Sequence, residues 1–151
     1  MNDAPHPLLD VLVALFCRPG QRHADSHALH AAHLAWELAS GQWVLIAGPD
    51  NRLWGWASWY LTDADGYIQL RTEGLDDLIR QGRLIPLRNG DHAYAATVIT
   101  APWAPAGTLR YLIELVSAEC RSAGAVCLAA DFSTRNGYAR WHERRLNGFA
   151  R

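Results

Sequence analysis

Hydrophobic residues recur along this chain with two different periods, which predict a mixed succession of helices and strands. Longer segments carry apolar residues at helical spacing, whereas shorter runs are dense in β-branched and aromatic residues, as is typical of strands. The predicted helices span residues 7–16, 24–39, 74–81, 108–123 and 136–146. The predicted strands span residues 42–47, 53–60, 67–70, 94–99 and 125–131.

Two connections determine the expected sheet. The turn Gly48-Pro49-Asp50-Asn51 joins the first two strands as an antiparallel hairpin. The helix at 108–123 joins the last two strands, which makes a right-handed parallel crossover. Because the first of these strands breaks at Ala101-Pro102, we expect the two parallel strands to splay and leave a cleft. The fold class is therefore α/β (α+β): an antiparallel hairpin, then splayed parallel strands, in one mixed central sheet flanked by helices.

Composition narrows the class of protein. The 151 residues are 50% hydrophobic and 19% charged, so we expect a single domain over residues 1–151. A net charge of −1 argues against a generic nucleic-acid binder. The sequence has no run of eighteen apolar residues that could span a membrane. The N-terminus carries acidic Asp3 and lacks the basic region of a secretory signal, so we expect no such signal. The three cysteines, odd in number and without metal-type spacing, predict reduced, mostly buried thiols in a cytoplasmic protein.

Positive charge is unevenly distributed. Arginines crowd the C-terminal end, at positions 135, 140, 144, 145 and 151, and two more, Arg18 and Arg22, lie near the start. These arginines form either a solvated helix face or a docking patch for an acidic partner.

The loop between the broken strand and the helix at 108–123 is a candidate anion site. It contains Gly107 and leads into a helix N-terminus, where free backbone N–H groups and the helix dipole both favour an anion. We therefore assign Thr100, Gly107 and Thr108 to binding a carrier cofactor. Gly107 and the helix N-terminus at Thr108 would hold its phosphate, and backbone amides near Thr100 would donate to an oxyanion. The alternative is that Gly107 simply permits a turn.

This order of elements resembles the GNAT acyltransferase superfamily, which binds an acyl thioester in the splay between two central strands. The tail, from Asn136-Gly137-Tyr138-Ala139 to Gly148-Phe149, is similar to the closing segment of that superfamily, although the stretch before Gly148 is longer. The Arg/Gln-x-x-Gly-x-Gly/Ala loop of the superfamily is absent, and only Gly107 remains of it.

The chain is more similar to a divergent GNAT branch, the lysine acyltransferases that activate RTX toxins. The matching segments are Gly90-Asp91, Ala101-Pro102-Trp103 with Gly107, Leu109 and Tyr111, and the strands Trp43-Val44-Leu45-Ile46 and Trp56-Ala57-Ser58-Trp59. This resemblance, over roughly residues 9–112, implies an acyl-carrier-protein donor and a protein lysine acceptor. It places the family's catalytic histidine on His23.

The resemblance fails at the family's second catalytic residue. Its aspartate falls on Val98, and a valine cannot orient an imidazole. Either Asp25, Asp91 or Asp131 takes that role, or the catalytic apparatus is altered or lost.

Several other side chains have two readings. His23 suits a general base because its ordinary pKa lies near neutrality, but it equally suits the start of a helix. The spacing of His23, His27, His30 and His33 is conceivable for zinc, yet no carboxylate or thiolate completes a familiar set, so we assign no metal. Cys17 is a nucleophile candidate or, in the simpler reading, a buried thiol. Ser58 and His142 are lesser catalytic candidates.

We therefore expect an acyltransferase that moves a fatty acyl group from acyl-carrier protein to a protein lysine. A conventional acetyl-CoA-dependent GNAT enzyme and a catalytically inactive binding module are the alternatives. In both enzyme readings the acyl donor, acyl-carrier protein or acyl-CoA, is a phosphopantetheine thioester rather than a permanent cofactor. Because the superfamily adds a closing strand beyond Gly148-Phe149, where this chain ends, we also expect a homodimer to cover the edge left open.

Overall fold

The computed structural model describes residues 4–19, 27–83, 88–133 and 139–146. The elements within them, in chain order, are α1 (Leu9–Phe16), α2 (His27–Ser40), β1 (Trp43–Ala47), β2 (Leu53–Thr62), α3 (Ala64–Glu73), α4 (Leu75–Arg80), β3 (His92–Thr100), α5 (Thr108–Ser122), β4 (Cys127–Ser133) and β5 (Ala139–Arg145).

The five described strands form one sheet in the order β1-β2-β3-β4-β5. Strands β3 and β4 are parallel, and every other neighbouring pair is antiparallel. The hairpin turn closes through a hydrogen bond from Gly48 N to Arg52 O of 2.9 Å. The predicted mixed sheet, with its hairpin and its parallel crossover through α5, is confirmed.

The two faces of the sheet are covered differently. Helix α5 packs on one face, which we call the α5 face, and buries an apolar cluster there. Helices α1 to α4 cover the opposite face, which we call the α2 face. The α5-face cluster consists of Ala57, Trp59, Leu61, Ala93, Ala95, Leu112, Val116, Cys120, Ala125, Leu128, Ala130 and Leu146.

Strands β3 and β4 separate after a short paired stretch. Their register contains three pairs, from His92–Cys127 to Tyr94–Ala129. Beyond Tyr94, β3 continues to Thr100 beside β2 alone, while β4 pairs with β5 as far as Ser133. We call the resulting gap the cleft; it opens toward the C-terminal ends of β3 and β4.

One predicted strand was wrong. Residues 67–70 belong to helix α3, which Asp63 caps by accepting a hydrogen bond from Gly66 N at 2.8 Å. Tyr67 and Leu70 are buried three residues apart, whereas Ile68 is 59% exposed. The apolar period in this segment is therefore helical, and the short run gave too few residues to distinguish it from strand alternation.

The predicted helix at 136–146 was also wrong, because residues 139–145 form strand β5. Seven pairs join β5 to β4, from Ser133–Ala139 to Cys127–Arg145. Pairing along the whole of β4 outweighs the helix propensity of a segment rich in arginine and glutamate. Strand β5 pairs with β4 and is itself an edge strand of the described sheet, so the expected homodimer stays a prediction.

None of the described helices is both long and apolar enough to cross a bilayer. All three cysteines are buried free thiols, as predicted. Burial raises the pKa of each thiol, to about 12 for Cys120.

Candidate functional site

The loop between β3 and α5, residues 101–107, lies at the wide end of the cleft, which we call the cleft mouth. Ala101 N donates to Trp54 O at 2.9 Å, and the Trp103 indole donates to Leu53 O at 2.9 Å, so the loop is tied to the start of β2. Gly107 then caps α5 in a left-handed conformation, with φ of 91°. The first-turn amides of α5 therefore point out at this end of the molecule, where helix geometry leaves them without an intrahelical acceptor.

The three predicted cofactor-binding residues lie around this loop. Thr100 ends β3 and pairs with Gly55. Thr108 is also close to Gly55: a Cβ atom built on Gly55 would lie 3.2 Å from Thr108 Cγ2. The Thr108 side chain is buried and donates to Pro105 O at 2.8 Å, so it shapes the loop and does not extend into solvent. A Cβ built on Gly107 meets no atom within 4 Å, so its backbone is open to approach.

Three arginines surround the same loop. Arg18 donates from Nη1 to Thr100 O at 3.3 Å, Arg52 lies 4.1 Å over the ring of Trp103, and Arg110 is exposed in the first turn of α5. Within the described part of the chain none of these guanidinium groups pairs with a carboxylate. The cleft mouth is therefore electropositive.

The C-terminal arginines lie elsewhere. Arg144 donates to Glu114 at 2.9 Å and to Ser117, midway along α5. Arg145 pairs with Cys127, at the end of β4 farthest from the cleft mouth. Arg22, Arg135 and Arg151 lie outside the described residues. Arg144 and Arg145 therefore lie away from the cleft mouth, whereas the backbone of Arg140 pairs with Phe132 near the C-terminal end of β4.

A buried carboxylate lies behind β3 on the α2 face. Glu37, only 1% exposed, accepts hydrogen bonds from Ser58 Oγ at Oε1 and from Thr97 Oγ1 at Oε2, the latter at 3.1 Å. His33 Nε2 lies 2.9 Å from the same Oε2 and 2.6 Å from the hydroxyl of Tyr60. Because a carboxylate only accepts, this network assigns a hydrogen to Nε2.

The Tyr60 hydroxyl keeps its proton in this environment. Burial raises its pKa most strongly, and the negative charge of Glu37 and the neighbouring Tyr94 raise it further. Tyr60 is therefore a neutral hydroxyl at physiological pH and not a phenolate base.

Tyr94 and Asp131 bridge the cleft where it begins to open. The Tyr94 hydroxyl donates to Asp131 Oδ2 at 3.1 Å, from β3 across to β4. The Trp141 ring of β5 stacks on Tyr94 with centroids 5.7 Å apart. Of the three aspartates considered for the second catalytic role, Asp131 alone is placed at the cleft by the described residues. Asp91 lies beside His92 at the opposite end of β3, 2.8 Å from its Nδ1, and Asp25 is outside the described residues.

The remaining sequence candidates have mixed outcomes. His23 lies outside the described residues, so its predicted role stays a prediction. Val98 packs against the α5-face cluster, and the Ser58 hydroxyl donates a hydrogen bond to Glu37. His142 is exposed on β5, and Cys17 is buried. Among the described residues no group of three or more histidine, cysteine or carboxylate side chains is arranged to hold a metal ion.

Sequence reasoning missed Glu37 and gave Arg18 no specific place. The signal for Glu37 was available, since it follows His33 by four residues and lies between the apolar Leu34 and Leu38. That spacing puts a carboxylate on the buried side of α2. Nothing in the sequence indicates which strands would supply its hydrogen-bond donors.

Comparison with known proteins supports the fold. No protein-family model matches the sequence, and no curated protein sequence matches it. Among solved structures, the chain is similar to the loading GNATL domain of CurA from Lyngbya majuscula, at 17% identity and a TM-score of 0.64. The match covers 85% of this chain and 62% of that one, so this chain spans less than two thirds of the CurA structure.

Two further structures match at lower TM-scores. One is Naa20 from Chaetomium thermophilum in complex with a bisubstrate analogue, at 17% identity and a TM-score of 0.46. That match covers 70% of this chain and 50% of the other. The other is described as an acetyltransferase of the GNAT family, from Desulfovibrio desulfuricans, at 17% identity and a TM-score of 0.49. That match covers 88% of this chain and 73% of the other. The fold assignment rests on the CurA domain and on the splayed strands described above. The similarity to the CurA domain and the splayed strands both show that the chain has a GNAT-like fold.

Proposed function

We propose that this protein is a cytoplasmic acyltransferase of a single domain. It takes a fatty acyl group from the phosphopantetheine thioester of acyl-carrier protein and transfers it to a lysine ε-amine of an acceptor protein. The observation that carries the proposal is the cleft between β3 and β4, which opens directly onto the Gly107 loop and the start of α5.

The cleft suits an acyl thioester because one wall is strand backbone without a strand partner. From Ala95 to Thr100, the side of β3 that faces β4 has no pairing in the β3–β4 register. An N–H group there can donate to a thioester carbonyl and to the oxyanion that forms from it. The phosphate of the pantetheine arm would then reach the electropositive mouth.

The reaction needs a free amine and a thiol leaving group. The lysine nitrogen loses a proton to a base and attacks the thioester carbon, the carbonyl electrons move to oxygen, and the tetrahedral intermediate collapses with cleavage of the C–S bond. The thiolate then takes up a proton. We assign the base to His23, and we assign to Asp131, at the cleft edge, the carboxylate role that Val98 cannot fill.

The surface around the mouth favours a carrier protein over free CoA. Trp103, Leu109 and Tyr111 are exposed. Arg52 lies over the Trp103 ring, and exposed Arg110 shares the first turn of α5 with Leu109 and Tyr111. An apolar patch with unpaired arginines fits an acidic protein surface that delivers the arm into the cleft. The first turn of α5 carries no acidic residue that would repel such a partner.

The test is intact-mass analysis with two donors, long-chain acyl-carrier protein and acetyl-CoA, and a lysine-containing acceptor peptide. This chain has no lysine, so a mass gain on the enzyme itself does not report lysine acylation. We expect acyl transfer from the carrier that is lost in His23→Ala and reduced in Asp131→Asn. Transfer from acetyl-CoA alone would establish the conventional GNAT alternative.

An inactive binding module is the second candidate. Val98 favours it, because the strand position expected to hold an aspartate instead packs into the apolar core. A folded protein that binds neither donor and transfers nothing would establish this reading.

A further inference from the structure

The bulge in β3 lies at the point where β3 leaves β4. Ser58 pairs with Thr97 and Trp59 pairs with Ala95, so Ala96 is left without a partner on β2. The last β3 residue paired with β4 is Tyr94, two positions earlier. A bulge bends its strand and redirects the local backbone groups. The backbone around Ala96 is therefore the part of β3 whose direction at the cleft depends on the bulge.

Glu37 is bonded to both strands beside that bulge. Ser58 on β2 and Thr97 on β3 are direct cross-strand partners, and both hydroxyls donate to the Glu37 carboxylate. His33, one helical turn earlier on α2, contacts the same carboxylate oxygen as Thr97, with its Nε2 2.9 Å from Glu37 Oε2. Helix α2, β2 and β3 are thus joined at one buried carboxylate.

The bulge also shifts which side chains face α2. Ala96 packs in the α2-face cluster and the next residue, Thr97, bonds to Glu37 on that face as well, while Val98 returns to the α5 face. In a regular strand Thr97 would point to the α5 face, away from Glu37. The bond from Thr97 to Glu37 therefore exists only with the bulge in this register.

We propose that Glu37 is a positioning residue that holds the β3 bulge in register and so aims the Ala96 backbone into the acyl-donor cleft. This inference rests on the proposed acyltransferase function. Glu37 is buried and touches no substrate; it acts through Thr97.

The kinetic test compares four variants with the wild-type protein. Glu37→Gln keeps the shape of the side chain but replaces one carboxylate oxygen with an NH2 group, which cannot accept a hydrogen bond. Thr97→Val removes the hydroxyl that donates to Glu37. Each should lower kcat by about 100-fold with little change in the donor KM, because a displaced backbone donor is felt mainly in the transition state. Thr97→Ser restores the hydroxyl and should recover most of kcat.

Val116→Ala is the control for stability. Val116 is fully buried on α5, at the opposite face of the sheet. The Val116→Ala substitution should lower Tm while leaving kcat per folded molecule unchanged. Wild-type kcat in folded Glu37→Gln and Thr97→Val would overturn the proposal.

Hydrogen exchange separates this inference from the function it rests on. We expect faster amide exchange at residues 95–98, relative to the rest of the sheet, in Glu37→Gln and Thr97→Val but not in Thr97→Ser. Val116→Ala should speed exchange across the sheet without favouring these residues. An inactive wild-type protein would refute the proposed function, and these exchange rates would still decide whether Glu37 holds the bulge. Unchanged exchange at residues 95–98 would refute the positioning role.

Discussion

The two faces of the sheet are built from different chemistry. The α5 face has an apolar core without a buried charge, in which α5 supplies Leu112, Val116 and Cys120 against small and aromatic strand residues. The buried hydroxyls of α5, on Thr108 and Ser117, donate to nearby backbone carbonyls. The α2 face contains aromatic and aliphatic clusters as well, but Glu37, His33, Ser58 and Thr97 are buried among them. An apolar layer needs only volume and pattern, whereas a buried polar network needs every partner in place.

This difference indicates which face is concerned with function. Buried charges are weak evidence for stability, because well-packed apolar residues of similar volume often serve a fold as well. The α5 face shows that this sheet can be covered without them. The polar groups of the α2 face meet the sheet at the β3 bulge, beside the cleft.

The largest expected effect is that of Glu37→Ala. It leaves the hydroxyls of Ser58 and Thr97 and the ring of His33 buried without their acceptor, so we expect a loss of about 4 kcal/mol in the free energy of unfolding. Urea denaturation measures it. The triple variant Glu37→Leu, Ser58→Ala and Thr97→Val should recover most of that stability while acyl transfer stays lost. A triple variant as unstable as Glu37→Ala would show that the network is needed for folding.

Leu112→Ala tests the apolar face and should cost about 3 kcal/mol, since Leu112 is fully buried. The matched change is Gly55→Ala, whose new Cβ would lie 2.7 Å from Leu112 Cδ1. Gly55→Ala should destabilise the wild-type protein but much less the Leu112→Ala protein, because the smaller side chain makes room. Strictly additive losses in a double-mutant cycle would contradict this packing.

Tyr60 gives the α2 face a pH dependence. Its folded pKa lies above the value of about 10 for an unfolded tyrosine, so the folded state keeps a proton that the unfolded state loses. Its contribution to stability is complete below pH 10 and falls by about 1.4 kcal/mol per pH unit above it. Urea denaturation at pH 9, 10 and 11 should show a steeper decline for the wild type than for Tyr60→Phe. Equal slopes would refute the assignment.

The smallest effect is expected at the cleft mouth. Gly107→Ala forces a φ of 91° on a residue with a Cβ and should cost about 1 kcal/mol without any clash. Gly41→Ala is the matched control, because Gly41 has a φ of 74° and equally open surroundings away from the cleft. Both should lose similar stability by thermal denaturation, but only Gly107→Ala should bind a pantetheine donor more weakly in calorimetry. Equal donor affinity in the two variants would remove Gly107 from the binding site.

Much of the fold was predictable from local pattern. The hairpin turn, the break at Ala101-Pro102 and the amphipathic α5 all follow from neighbouring residues, and the structure confirms each of them. The two errors have one cause: residues 67–70 and 139–145 have weak local preferences. Their conformation was decided by a cap at Asp63 and by pairing with β4.

The site was predictable only in part. The glycine-capped start of α5 at Gly107 and Thr108 was predicted because a glycine before a helix has a local signature, while donor binding there stays a prediction. Asp131 was one of three equal alternatives until the sheet placed it across from Tyr94. Glu37 was missed because its role depends on Ser58 and Thr97, which are 21 and 60 residues away along the chain.

The sequence by itself determined the mixed sheet, the crossover through α5 and the glycine-capped loop, because periodicity, turns and caps act over a few residues. The tertiary structure decided where β3 parts from β4, that residues 139–145 form strand β5, and which buried carboxylate lies behind the bulge. Each of those depends on residues far apart in sequence that meet only when the sheet has formed, and no local preference encodes that meeting.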